Sequence, residues 1–424
     1  FKQKTAYEIS LGLVGSEMCI RDRVNEDVSE EPTWRCIATG DLNGDGVEDV
    51  VVGDYNSPYA VYAVNGADGT TLWSTSEYTQ SVRAVAIGDV DGDGDLDVVA
   101  GWNGESMVHV YDGATGTLIA ERDLTGDVGS LAIAVGDVDG DGVDEIAVGT
   151  EANYLYVLYY DGTTTLAVLW QDSTTFTDWI RPVAMGDFDG DGDLDVVAAS
   201  DDYHIMAFDG QTGSWLWTAP YTYSDWPIYE FAIGDLNGDG ADDIVGGDWD
   251  WYVYALDGTD GSELWTPYQC TDDANTVYLG DLDGDGDLDV AVGDRDDKIY
   301  ALNGQTGDLM WIYTGGGSPD AYMLDVAVGD IDGDGKNEVV GVSDDANVYV
   351  LNGEDGSEFD VYLATADLEC VALADFNGDG LLDIAAAGGS LIALYYPLPA
   401  DIPSGAIAVL LIVALALLMK RFLE

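Results

Sequence analysis

Oxygen-bearing side chains recur along this chain at one fixed spacing. The stretch from Asp89 reads D-V-D-G-D-G-D-L-D, which sets carboxylates at its first, third, fifth and ninth positions. A hard divalent cation such as Ca²⁺ takes six to eight oxygens, and closely spaced carboxylates and carbonyls are its usual donors. Gly92 and Gly94 let the backbone turn sharply between the acids. Without a cation, so many carboxylates in one short loop repel each other, so a bound ion would act as a staple and couple metal binding to folding.

The pattern occurs eight times. The oxygen positions are Asp41, Asn43, Asp45 and Asp49 in the first copy and Asp89, Asp91, Asp93 and Asp97 in the second. They are Asp137, Asp139, Asp141 and Glu145 in the third, and Asp187, Asp189, Asp191 and Asp195 in the fourth. Asp235, Asn237, Asp239 and Asp243 follow, then Asp281, Asp283, Asp285 and Asp289. The last two copies carry Asp330, Asp332, Asp334 and Glu338, and Asp375, Asn377, Asp379 and Asp383. Position seven varies from Val47 through Asp95 and Lys336 to Leu381, so it can contribute only a backbone carbonyl. Position two is apolar (Leu42, Val90, Phe188, Ile331), as an anchor into a core would be. An EF-hand loop closes with a Glu at position twelve between helices; here the last acid is at nine and apolar runs flank the loop. Asn43, Asn237 and Asn377 lower the charge of three loops, which are expected to bind calcium more weakly. Up to eight Ca²⁺ are expected.

The elements that must position these loops are strands. Short continuous apolar runs precede and follow each loop, such as Val85–Ile87 and Val98–Ala100, a pattern suited to strands buried on both faces. A second motif then reads VYAVNGADGTTLW from Val61, IMAFDGQTGSWLW from Ile205 and VYALDGTDGSELW from Val253: a strand, an Asn-Gly or Asp-Gly turn, and a strand ending in Trp. Successive leading Asp residues lie 45 to 50 residues apart. Four strands at that period spell a propeller blade. The expected fold is all-β, an eight-bladed β-propeller of four-stranded blades. Its last blade lacks an outer strand, whose place would be filled from just before Trp34.

The acidic repeat, Asp-x-Asp/Asn-Gly-Asp-Gly-x-x-Asp/Glu between short strands, resembles the FG-GAP or VCBS-type repeat, the calcium-loop repeat of integrin alpha-chain propellers. The resemblance covers residues 34–396 and implies structural calcium and an extracellular adhesion or ligand-binding role. The hairpin resembles the blade motif of PQQ-like quinoprotein propellers, which also implies eight blades.

Composition bounds the function further. The chain has 424 residues and a formal charge of -69, with only 13 Lys and Arg. Nucleic acid is excluded as an expected partner, because phosphates need basic patches. With 47% hydrophobic residues, 12 Trp and 25 Tyr, the acids belong to a folded chain and not to a disordered tail. Residues 1–23 (KQKTAYEI, LVGSEMCIRD) resemble a translated sequencing adapter, so they are expected not to be native, and the natural N-terminus is expected to be missing. The propeller is expected over 24–396 and a Pro-containing linker over 397–403. Residues 404–424 are expected to form a transmembrane helix, its apolar run counted from Ile402 to Met419, with a basic cytoplasmic end at Lys420 and Arg421. That tail fits a retained anchor or a cleaved sorting signal; both place the propeller at the cell surface.

Cys36 and Cys370 occupy matching places in the first and last repeats, where they either pair at ring closure or remain buried thiols beside Cys270. His109 stands where other repeats have Tyr, which reads as structural, and His204 has no evident partner within its repeat. No catalytic constellation appears, so an enzyme is not expected; a polysaccharide lyase, a quinoprotein and a surface-layer component are the alternatives to a module binding an extracellular protein or glycan. The aromatic connectors 176–181 and 221–229 are the candidate binding loops.

Overall fold

A computed structural model describes residues 37–54, 59–75, 80–220, 228–316, 321–364, 367–388 and 391–395. Within them the chain forms seven four-stranded antiparallel sheets and one three-stranded sheet, each with its strands in sequence order. In blade 2 these strands are Val82–Gly88, Asp97–Trp102, Met107–Asp112 and Leu118–Asp123, counted from inside outward. The inner strands of the other blades are Ile37–Gly40, Val128–Gly136, Ile180–Gly186, Ile228–Gly234, Ala274–Gly280, Met323–Gly329 and Cys370–Ala374. Each inner strand packs against the next around the ring, and the first packs against the last. An eight-bladed propeller results, as the repeat period predicts. Blade 8 has three strands among the described residues, ending at Leu391–Tyr395. The segment expected to complete it, Cys36, and residues 397–424 lie outside the described residues. Among the described residues no helix is long and apolar enough to cross a membrane.

The continuous apolar runs are explained by the second strand of each blade. In blades 2 through 7 every residue of that strand is buried, because a neighbouring blade covers each face of the sheet. The core is accordingly not one mass but eight clusters, one in each seam. The cluster between blades 1 and 2 joins Val51, Val61 and Trp73 to Val98, Trp102 and Tyr111. That between blades 8 and 1 joins Phe376 and Ala385 to Val50 and Val64.

The Trp that ends the hairpin motif latches five of the eight seams. The indole Nε1 of Trp73 donates to the carbonyl of Gly113 in the next blade at 2.5 Å, and Trp170 reaches Gly210 at 2.6 Å. Trp217 donates to Gly258, Trp265 to Gly304 and Trp311 to Gly353. The indole also lies flat on the turn it bonds: a Cβ on Gly261 would sit 2.5 Å from Trp217, and Gly261 has φ +72°. Only glycine meets both demands. Ala120 and Asp360 stand at the Trp position in blades 2 and 7.

These latches predict a graded loss. Trp217→Phe should destabilise the protein by about 1–3 kcal/mol, the cost of stranding a buried carbonyl. Trp217→Ala should cost about 3–5 kcal/mol by opening a cavity in the seam. Urea unfolding monitored by far-UV circular dichroism measures both; equal effects would refute a role for the indole bond.

Candidate metal centres

Each acidic loop joins the inner strand to the second strand, so all eight open on one face of the ring. The side chain at position two is buried in every copy, as expected of an anchor: Leu42, Val90, Val138, Phe188, Leu236, Leu282, Ile331 and Phe376 are each no more than 2% exposed. Glycines four and six take positive φ, +73° and +92° at Gly92 and Gly94, which folds the acids inward.

Backbone amides occupy some carboxylate oxygens and leave others. Position one accepts from the amide of Gly at position six in every loop, as Asp89 Oδ2 does from Gly94 at 3.0 Å and Asp375 Oδ2 from Gly380 at 2.8 Å. Position five accepts from the amide of position seven through one oxygen, as Asp93 Oδ1 does from Asp95 at 3.0 Å and Asp334 Oδ1 from Lys336 at 2.9 Å. Carboxylate oxygens at positions one, three and nine converge within 4.8 Å in the loops of Asp89, Asp137, Asp187 and Asp330, and those of Asp281, Asp283 and Asp285 do so in the sixth loop. In the second and fourth loops Asp89 Oδ1 and Asp187 Oδ1 are buried with no hydrogen-bond partner. Bare, buried, converging oxygens are the donor set a hard cation requires, so the residues fit calcium.

Position nine has a further duty. One oxygen of Asp195 accepts from the Phe188 amide at position two (3.1 Å) and the other from Gly210 in the hairpin turn (3.2 Å). Asp243 holds Leu236 and Gly258 in the same way, at 2.9 and 3.0 Å. This carboxylate therefore ties the acidic loop to the turn that receives the neighbouring Trp. Burial pushes its pKa up in all eight copies against the pull of the amides, to about 7 for Asp97, Glu145, Asp195, Glu338 and Asp383 and about 6 for Asp49, Asp243 and Asp289.

In the Asn-bearing loops the position-three amide does part of a cation's work. Asn43 Nδ2 donates to Asp49 Oδ2 at 2.9 Å, Asn237 Nδ2 to Asp243 Oδ1 at 3.3 Å and Asn377 Nδ2 to Asp383 Oδ1 at 3.1 Å. Sequence reasoning missed position eight, which reaches across the seam. Asp144 Oδ2 accepts from the Asp89 amide at 2.8 Å and Asp242 Oδ2 from the Asp187 amide at 3.0 Å, each in the preceding blade. Burial raises the Glu48 pKa first, then the charges of Asp41 and of Asp375 across the closing seam. The signal was present as a period of two blades: Glu48, Leu96, Asp144, Leu194, Asp242, Leu288, Asn337, Leu382.

His109 is structural, as its place predicts: it is 3% exposed and its Nδ1 meets Tyr111 Oη at 2.9 Å. His204 corrects the expectation that it has no partner, because a tight turn brings Asp202 Oδ1 to 3.2 Å of its Nδ1. Cys270 is a buried thiol, raised by burial, and Cys370 is buried with its Sγ 3.6 Å from the Ala387 carbonyl. Of the candidate binding loops, residues 221–227 lie outside the described residues. In the other, Phe176 and Ile180 are buried while Trp179 is 42% exposed.

The chain is similar to known proteins in two ways. The family model described as an FG-GAP-like repeat matches it seven times, over residues 41–100, 89–148, 144–198, 187–246, 235–292, 281–341 and 330–386. No curated protein sequence matches it. Among solved structures it resembles Sqt1 of Saccharomyces cerevisiae at TM-score 0.68 and 14% identity, over 87% of this chain and 97% of that one. It also resembles the computationally designed Ika8 protein at 0.61 and 16%, over 86% and 96%, and BamB of Moraxella catarrhalis at 0.57 and 16%, over 88% and 99%. At these identities the likeness is of fold alone.

The raised position-nine carboxyls predict an inverted acid response in chelated protein. The folded chain holds these protons more tightly than the unfolded one, so each group withdraws stability as pH rises from about 4 to about 7. Melting temperature should therefore fall across that window, and saturating calcium, which favours the ionised form, should flatten the slope. A melting temperature that rises with pH in EDTA would contradict the burial of these groups as unpaired acids. Asn237→Asp, by removing an internal donor and adding a ligand, should tighten calcium binding at the fifth loop, read as an added high-affinity site in titration calorimetry.

Proposed function

The chain belongs to the FG-GAP-like repeat family, and on that premise we propose that it is a calcium-stapled ligand-binding propeller carried on a cell surface. The observation that carries the calcium role is the convergence of carboxylate oxygens within 4.8 Å in five loops, two of which hold a buried oxygen with no partner. Positions one and three would hold the ion, joined by position nine in four loops and by position five in the sixth, with the position-seven carbonyl completing the set. Calcium supplies charge neutralisation there, not chemistry on a substrate. At the affinities common for extracellular modules, about 10⁻⁴ to 10⁻³ M, such loops fill outside a cell and empty in cytosol. A helix over 404–424 would anchor the propeller to the membrane, with adhesion or capture of a protein or glycan as its work.

The two faces of the ring divide that work. Acids crowd the loop face, where a cation offsets them. The opposite face gathers Arg181 and Arg295 with exposed aromatic rings, and it is the one suited to a ligand.

Differential scanning calorimetry tests the staple. At free calcium ten times Kd each occupied site should add about 1.4 kcal/mol, so five sites should move the melting temperature by many degrees, and EDTA should reverse the shift. Melting indifferent to calcium and to EDTA would overturn the reading.

A further inference from the structure

On the face away from the acidic loops, the turn between second and third strands puts one residue of each of blades 1 to 7 at positive φ. Small or polar residues stand at several of these places: Ser106, Asn153, Asp297 and Ala346, at φ +53°, +67°, +54° and +65°. Blades 1, 4 and 5 instead place Tyr59, Tyr203 and Trp251 there, at +56°, +68° and +76°, Tyr59 half-buried and the other two exposed. A bulky side chain is a poor occupant of that backbone region, and asparagine a good one. Yet these rings are not hidden in the core: Tyr203 is 38% and Trp251 42% exposed. Strain kept for the sake of a surface ring points to a ligand.

The rings sit beside a rigid row. Arg181 lies 5.5 Å from the Trp179 ring and 5.0 Å from that of Tyr229, which stacks on Trp249 at 4.1 Å and 8°. Arg295 lies 5.3 Å from Trp249 and 4.9 Å from Tyr322. The row crosses blades 4 to 7, and its ends, Trp179 and Tyr322, are 42% and 38% exposed. The Asp201 amide donates to the Trp179 carbonyl at 2.9 Å, which binds the row to the turn of Tyr203. Both guanidiniums are neutralised in place, Arg181 by Asp201 at 2.6 and 3.0 Å and Arg295 by Asp273 at 3.1 Å.

Resting on the reading of this face as the binding face, we infer that blades 4 to 7 there bind a neutral polysaccharide. Sugar rings offer a flat C–H face that packs on Trp and Tyr, and vicinal hydroxyls that pair with planar Asp and Arg groups. The arginines are already balanced by carboxylates, and a chain of charge -69 repels polyanions. Tyr229 is buried within the row, but the exposed rings of Trp179, Tyr203, Trp251 and Tyr322 are spread over blades 4, 5 and 7, a spacing that suits a polymer of repeating units better than a single small molecule. Rings held rigid before binding lose little conformational freedom when the ligand arrives.

The test uses the full chain, loaded with calcium, in affinity gels containing galactomannan, xyloglucan or mixed-linkage β-glucan, with alginate as the anionic comparison. Retardation is expected in at least one neutral gel, unchanged in high salt. It should weaken by about tenfold or more in Tyr203→Asn and in Trp251→Asn. Because asparagine suits positive φ, both variants should melt at or above the parent temperature, which separates lost binding from lost folding. Passage through every neutral gel, retardation by alginate alone, or undiminished binding in both variants would overturn the inference. A calcium-raised melting point without retardation would sink the polysaccharide and leave the staple standing; retardation with EDTA-indifferent melting would do the reverse.

Discussion

The architecture turns on a buried carboxylate at the ninth position of each loop. Asp195 is held by an amide of its own loop on one side and by the hairpin turn on the other. That same turn offers the Gly210 carbonyl to Trp170 of the preceding blade. Loop, turn and seam thus form one chain of contacts, which recurs where Asp243 and Asp289 hold the turns that Trp217 and Trp265 reach. A charge kept out of water is costly unless compensated, and two amides compensate only part of it, as the raised pKa values show. A cation in the loop would offset the remainder, which would couple metal binding to folding.

Charge is distributed to match. The loop face concentrates carboxylates that neither a basic patch nor a core could balance. At the seams the acids are also shared: Asp144 and Asp242 each cap the loop of the blade before them. The opposite face spends its few arginines in neutral pairs stacked on aromatic rings. The acidic loops thus gather on one face, and the arginine–aromatic pairs gather on the other.

Much of this was legible in the linear order of residues because the determining interactions are local. Eight loops, their four oxygen positions, the anchor at position two, the four strands and the three-stranded last blade all follow from spacings under about 50 residues that repeat. His109 also read correctly from its place among equivalent tyrosines. His204 did not, since its partner Asp202 depends on a turn that strand patterns do not reveal. Nor did the second duty of position nine, because counting carboxylates cannot show which oxygens a backbone amide has taken.

What the amino-acid order determined alone is the repeat, the spacing of its acidic side chains and the propeller they imply. Contacts between residues some 40 to 55 apart, in adjoining blades, were decided only in three dimensions: the indole on the next turn, the cross-seam carboxylate and the stacked row of rings. The reason is geometric. Spacing within a loop sets its own donors, but the facing of one blade against the next depends on how whole sheets close into a ring.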